Sequence, residues 1–124
     1  MPRILVIDDD VEFMDVLCKV LRSRGYEVYS ALNGKDCVNL YKETPVDLVI
    51  TDILMPEQDG VELIFSLRKI SPEVKIILIS GGGKYGTAED YLHSAKLVCD
   101  IKYALTKPFS IDEMIQAING LLNK

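Results

Sequence analysis

The segment Ile4-Leu5-Val6-Ile7-Asp8-Asp9-Asp10, residues 4–10, decides the fold, because four apolar residues run directly into three acids. A short run that is apolar throughout is typical of a strand whose two faces are both covered by helices, as in parallel sheets. An aspartate just after such a strand is a common cap for the helix that follows. The segment therefore predicts a buried strand that ends at Ile7 and leads into a helix.

The same pattern of a strand followed by a helix occurs five times. The apolar runs are 4–7, 28–31, 48–50, 74–79 and a weaker 101–105. The amphipathic stretches open with a capping residue and an acid three positions later: Asp9/Glu12, Asn33/Asp36, Asp59/Glu62, Thr87/Asp90 and Ser110/Glu113. This alternation predicts an α/β fold with a parallel sheet, in which the first, third and fourth strands are central. We expect residues 1–124 to form one domain, with no effector domain attached.

Composition limits the classes of protein to which the chain can belong. Its 124 residues are 48% hydrophobic and 27% charged, and the apolar runs are far too short to span a bilayer. The net charge of −5 disfavours direct nucleic-acid binding. Cys18, Cys37 and Cys99 lack CxxC spacing and predict free, buried or half-buried thiols. Since the N-terminus shows no signal-peptide pattern, we expect a cytoplasmic protein.

Polar side chains follow the predicted strands where each one ends. They are Asp8 to Asp10 after the first strand, Thr51-Asp52 after the third, Ser80 after the fourth and Thr106-Lys107-Pro108 after the fifth. In an open parallel sheet these ends share the edge at which ligands bind. Crowded carboxylates repel unless a cation neutralises them, and oxygen ligands without clustered histidine or cysteine favour Mg²⁺ over zinc or copper. We therefore predict a magnesium site beside Asp52.

These residue types together predict a phosphoryl acceptor. Mg²⁺ beside Asp52 would offset the repulsion that keeps a carboxylate from attacking an anionic phosphorus. Lys107 and the Ser80 hydroxyl would bind the remaining phosphoryl oxygens. Taken alone, Asp9 or Asp10 is better explained as a helix cap and Lys107 as a surface charge. Asp52 differs, because a carboxylate that closes an apolar strand costs stability unless it is paired or metal-bound.

Four segments resemble the receiver domains of two-component response regulators. They are Ile4 to Asp10, Asp52-Ile53-Leu54-Met55-Pro56 with Gly60, Ser80-Gly81 and Thr106-Lys107-Pro108-Phe109. The resemblance implies a flavodoxin-like (βα)₅ three-layer sandwich with a five-stranded parallel sheet of order 2-1-3-4-5. It also implies the site: Mg²⁺ held by Asp8, Asp9, Asp52 and the Leu54 main-chain carbonyl, the phosphoryl group accepted by Asp52, and its oxygens bound by Ser80 and Lys107.

The function implied by the resemblance is that of a stand-alone switch in a phosphorelay. A sensor histidine kinase or a histidine phosphotransfer protein would supply the phosphoryl group, and a separate effector protein would read the outcome. A weak homodimer through the fourth helix, fifth strand and fifth helix is compatible with this scheme. The chain departs from the family at Ala104, where an aromatic residue is usual. Tyr103 should lie on the opposite strand face and cannot replace it.

Two other functions are compatible with part of this pattern. A haloacid-dehalogenase-like phosphohydrolase would use Asp8 and Asp10, which are two positions apart after a strand, but this leaves Asp52 without a role. A degenerate receiver that serves only as an interaction scaffold would account for Ala104, but it would not need the intact acids and lysine. We therefore expect a phosphoacceptor rather than an enzyme, with no chemistry beyond its own phosphorylation and autodephosphorylation.

Overall fold

One parallel sheet forms the centre of the protein in the computed structural model, which describes residues 2–52, 60–80, 101–107 and 109–122. The strands are β1 (Arg3–Ile7), β2 (Glu27–Ala31), β3 (Leu48–Asp52), β4 (Ile76–Ser80) and β5 (Tyr103–Thr106). They lie in the order β2-β1-β3-β4-β5, and every neighbouring pair is parallel. The predicted order is therefore confirmed, and β1, β3 and β4 are the central strands.

Helices cover both faces of the sheet. The described helices are α1 (Val11–Ser23), α2 (Gly34–Glu43), α3 (Gly60–Ile70) and α4 (Ile111–Leu122). The helix predicted to begin near Thr87 lies outside the described residues. The helix predicted as the fifth is therefore labelled α4. Leu54 also lies outside the described residues. Among the helices that the structure describes, none is long and apolar enough to cross a membrane.

The alternation of side chains along the central strands divides the core into two layers. On one face Val49 and Leu78 pack with residues of α2 and α3, including Leu63. On the other face Ile50 and Ile77 pack with residues of α1 and α4. Each of these side chains is fully buried, and burial of one such chain contributes roughly 1.5–3 kcal/mol. The sheet is thus packed against helices on both faces.

Side-chain caps begin α1, α2 and α4, and one of them differs from the prediction; Asp59, the predicted cap of α3, lies outside the described residues. The α1 cap is Asp10, not Asp9: the Asp10 carboxylate accepts a hydrogen bond from the Phe13 amide at 3.1 Å. The helix begins at Val11, so the residue three before Phe13 is the one that can cap it. The predicted caps Asn33 and Ser110 are confirmed. This one-residue shift leaves Asp9 at the edge of the sheet instead of in the cap.

Two of the three cysteines lie within the described residues. Cys18 and Cys37 are buried and free, as predicted. Burial raises the pKa of the Cys37 thiol to about 12, so it stays protonated and unreactive at neutral pH. These thiols serve as small apolar core residues.

Candidate functional site

Two carboxylates lie side by side at the carboxyl edge of the sheet. Asp8 directly follows β1 and Asp52 ends β3, and the register that pairs Ile7 with Thr51 brings them next to each other. Asp8 is 0% exposed and Asp52 is 6% exposed. Burial of two carboxylates without compensation would cost several kcal/mol each, so the fold must supply cationic or hydrogen-bonding partners.

Lys107 supplies positive charge. It follows β5, and its Nζ lies 2.8 Å from Asp8 Oδ2 and 3.4 Å from Asp52 Oδ2. The lysine side chain is only 19% exposed. One ammonium therefore contacts both buried carboxylates, across a sequence separation of 99 residues from Asp8.

Burial and hydrogen bonding act in opposite directions on this pair. Burial raises the pKa of the Asp8 carboxyl, against the hydrogen bonds from Lys107 and from the Asp10 amide, which donates to Asp8 Oδ1 at 2.9 Å. Burial alone would lower the pKa of Lys107. The hydrogen bond and charge of Asp8, with a smaller contribution from Asp52, outweigh burial and raise it. The lysine therefore stays charged at neutral pH.

A third acid completes a cluster that could hold a metal ion. Asp9, which is exposed, joins Asp8 and Asp52, and one carboxylate oxygen from each lies within 4.8 Å of the others. The single charge of Lys107 compensates one of these three charges, so the four side chains together remain negative. An all-oxygen set with excess negative charge and an open side fits Mg²⁺, which keeps several waters and few protein ligands.

An aromatic pair that the sequence interpretation missed lies beside the lysine. Lys107 Nζ is 4.0 Å from the centre of the Phe13 ring. The Phe13 and Phe109 rings meet edge to face, with 5.9 Å between their centres and 84° between their planes. Phe13 stands three positions after the acid run, and Phe109 stands two positions after the lysine. This closeness in sequence to the predicted site residues was the one signal that could have indicated the contact. Although Phe109 belongs to a segment that resembles receiver domains, such residues usually denote core packing, so neither position predicted a contact with Lys107.

The remaining predicted residues lie around this cluster. Ser80 ends β4 opposite Thr106 of β5, while its side chain and Leu54 fall outside what the structure describes. Ala104 faces the α2 and α3 side of the sheet, and Tyr103 packs on the α1 and α4 side. The predicted opposite orientation of Tyr103 is confirmed.

A model of the response regulator receiver domain family matches residues 4–119. The chain belongs to this family. Among curated relatives, chemotaxis protein CheY of Bacillus subtilis is 37% identical over 123 residues, covering 98% of both chains. The resemblance stated from the motifs is thus confirmed, and the chain is a CheY-like receiver of two-component signalling.

Solved structures with similar folds include the response regulator TrrA of Thermotoga maritima in complex with Mg²⁺ and BeF. It has a TM-score of 0.83 and 32% identity, over 98% of this chain and 100% of that one. A second structure holds TrrA in complex with the histidine kinase ThkA, with a TM-score of 0.81 and 31% identity, over 98% and 99% of the two chains. Both similarities extend over essentially the whole receiver.

Proposed function

We propose that this receiver, residues 1–124, is a Mg²⁺-dependent switch that accepts a phosphoryl group on Asp52. The observation that carries the proposal is the convergence of Asp8, Asp9 and Asp52 on one point, with Lys107 in contact with two of them. No single one of these residues requires such a function. Buried like charges that are only partly compensated cost folding free energy, and a binding site accounts for that cost.

The chain's own residues would divide the work of phosphoryl transfer. An Asp52 carboxylate oxygen attacks phosphorus, so an acyl phosphate bond forms while the bond from phosphorus to the donor breaks. The Lys107 ammonium, 3.4 Å from Asp52, binds one of the phosphoryl oxygens, and Ser80 at the end of β4 offers a hydroxyl to another. Mg²⁺ held by Asp8, Asp9, Asp52 and the Leu54 carbonyl would neutralise charge shared between carboxylate and phosphate.

The phosphohydrolase alternative is disfavoured by what Asp10 does. That hypothesis places Asp10 in the nucleophile motif, yet its carboxylate accepts a hydrogen bond from the Phe13 amide as the α1 cap. Asp52, for which the phosphohydrolase has no use, is instead buried against Lys107. The scaffold alternative leaves the same buried charges unexplained.

The partners follow from the phosphoryl chemistry. A histidine kinase or histidine phosphotransfer protein would be the donor, in keeping with the ThkA complex of the related TrrA. A separate cytoplasmic effector would then bind the phosphorylated form more tightly or more weakly. Because Ala104 replaces the usual aromatic, this readout would depend on the Lys107 ammonium moving from Asp8 toward the phosphoryl group. A weak homodimer through the predicted fourth helix, β5 and α4 is a further expected contact.

Phosphorylation with acetyl phosphate tests the proposal directly. The protein is incubated with acetyl phosphate and Mg²⁺ and analysed by intact mass and peptide mapping. We expect one adduct on Asp52 that is stable in acid, released by hydroxylamine and absent in EDTA. Asp52→Asn should abolish it, whereas Asp15→Asn, the same change at an exposed α1 position, should not. Labelling of Asp8 would favour the phosphohydrolase, and absence of any Mg²⁺-dependent adduct would favour the scaffold.

A further inference from the structure

Phe13 lies against the Lys107 ammonium. We propose that Phe13 is a positioning residue that holds this ammonium against its ring face while the amine exchanges carboxylate oxygens for phosphoryl oxygens. The inference rests on the proposed phosphorylation of Asp52 and adds a residue to that machinery. Its basis is the 4.0 Å distance from Lys107 Nζ to the ring centre. A cation this close to an aromatic face is attracted by the ring quadrupole, most strongly where water is largely excluded.

The Phe13 ring is itself fixed from two directions. Its backbone amide donates to the Asp10 cap at 3.1 Å, which sets the position of the first turn of α1. Its ring meets Phe109 edge to face, the arrangement that aromatic pairs prefer. Phe109 in turn follows Lys107 by two positions, so this second ring and the lysine share one short segment. The mobile partner in this contact is therefore the four-carbon lysine stem.

The lysine needs a contact that survives a change of oxygen partners. It is bound more closely to Asp8, at 2.8 Å, than to Asp52, at 3.4 Å. When a phosphoryl group reaches Asp52, the ammonium must move toward new oxygens. A carboxylate would oppose that movement because its hydrogen bond is directional. The attraction to a ring face is spread over the ring and adds no negative charge beside the phosphoryl group.

An aliphatic side chain at position 13 could fill the same space but could not hold the cation. Without the ring, the flexible lysine side chain would sample more rotamers, and the population of the rotamer that reaches Asp52 would fall. The structure thus assigns Phe13 a role in the rate of Asp52 phosphorylation, separate from its packing in the core cluster of α1 and α4.

A set of Phe13 variants tests this role through the rate of acetyl phosphate labelling at saturating Mg²⁺. Phe13→Leu should lower the rate constant about three- to tenfold, while Phe13→Tyr, which keeps the ring, should stay within about twofold of wild type. A 3,4,5-trifluorophenylalanine at position 13 keeps the shape and weakens the quadrupole, so it should also lower the rate. Phe65→Leu is the matched control, since Phe65 is exposed on α3.

The readouts separate positioning from packing. In a Lys107→Met background, Phe13→Leu should cause no further loss, because the contact is already gone. Equal labelling rates for wild type, Phe13→Leu and the fluorinated protein would overturn the inference while leaving the proposed function intact. Failure of the wild type to be labelled at all would overturn the proposed function, and this inference with it.

Discussion

Lys107 donates to Asp8 at 2.8 Å and lies further, 3.4 Å, from Asp52. Before any phosphoryl group arrives, the ammonium is thus closer to a proposed metal ligand than to the proposed acceptor. A divalent cation bound by Asp8 would weaken that pair, since both cations then share one carboxylate. Under the proposed function, metal binding would therefore favour release of the lysine toward Asp52.

Loss of the lysine charge should weaken the fold only at alkaline pH. The contacts with Asp8 and Asp52 raise the pKa of Lys107 above 10.5 in the folded protein. Its contribution to the free energy of unfolding is therefore full below pH 10.5 and lost as pH rises through the raised folded value. Urea unfolding without Mg²⁺ measures the free energy of unfolding of wild type and of Lys107→Met. The difference between the two should be constant from about pH 7 to about pH 10 and should shrink above about pH 10.

The comparison cancels the titration of the other lysines and tyrosines, which both proteins share. A difference that stayed constant through about pH 11.5 would contradict the assigned ion pair. Lys75→Met, a change at an exposed lysine before β4, should show little difference from wild type at any pH.

Asp9→Asn should stabilise the metal-free protein and weaken Mg²⁺ binding. Removal of one of three clustered carboxylates reduces repulsion with Asp8 and Asp52, so the melting temperature in EDTA should rise. Loss of a direct ligand should weaken Mg²⁺ affinity by at least about tenfold, because even the loss of a residue that only hydrogen-bonds to a metal ligand lowers affinity by that factor. Thermal shift over a Mg²⁺ titration reports both quantities.

Asp15→Asn is the control for this change, because Asp15 is exposed on α1 outside the cluster. It should leave the Mg²⁺ dependence of the melting temperature unaltered. If the melting temperature of Asp9→Asn depended on Mg²⁺ concentration in the same way as that of wild type, Asp9 would be excluded as a Mg²⁺ ligand.

Asp10 should prove dispensable for phosphorylation but not for stability. Asp10→Ala removes the α1 cap and should lower the free energy of unfolding by about 1 kcal/mol, whereas Asp10→Ser restores a capping oxygen and should recover most of it. Both variants should be labelled by acetyl phosphate. Absence of labelling in the well-folded Asp10→Ser protein would revive the phosphohydrolase hypothesis.

Gly120→Ala should destabilise the protein although alanine favours helices. A Cβ at Gly120 of α4 would overlap the hydroxyl end of the Tyr103 ring on β5. Overpacking costs about 1–3 kcal/mol and the gain in helix propensity is about 1 kcal/mol, so we expect a net loss of up to about 2 kcal/mol. In a Tyr103→Leu background the same change should become neutral or stabilising. Chemical denaturation of the four proteins measures the coupling, and additivity would contradict the packing.

Periodicity in the sequence predicted the parallel α/β class, the central strands and the convergence of the site, whereas the full strand order came from the resemblance to receiver domains. Apolar runs fixed the central strands, and the carboxyl ends of parallel strands necessarily share an edge, so Asp8, Asp52 and Lys107 had to approach each other. The opposite orientations of Tyr103 and Ala104 followed from simple alternation along β5.

The features that the sequence did not predict depend on exact register and on side-chain contacts. Asp9 and Asp10 are chemically identical neighbours, and only the start of α1 at Val11 decides which one caps the helix. Phe13 resembles any apolar helix residue in the sequence, because its contact with Lys107 joins segments 94 positions apart. Long-range contacts of this kind have no local signature.

The edge position of β5, last of the strands along the chain, has a consequence for biosynthesis. A polypeptide that has emerged from the ribosome only as far as β4 carries Asp8, Asp9 and Asp52 but not yet Lys107. Such a chain contains the acids but still lacks the lysine that offsets their charge when they are buried together. The proposed site is thus complete only after Lys107 has been translated and the outermost strand has docked.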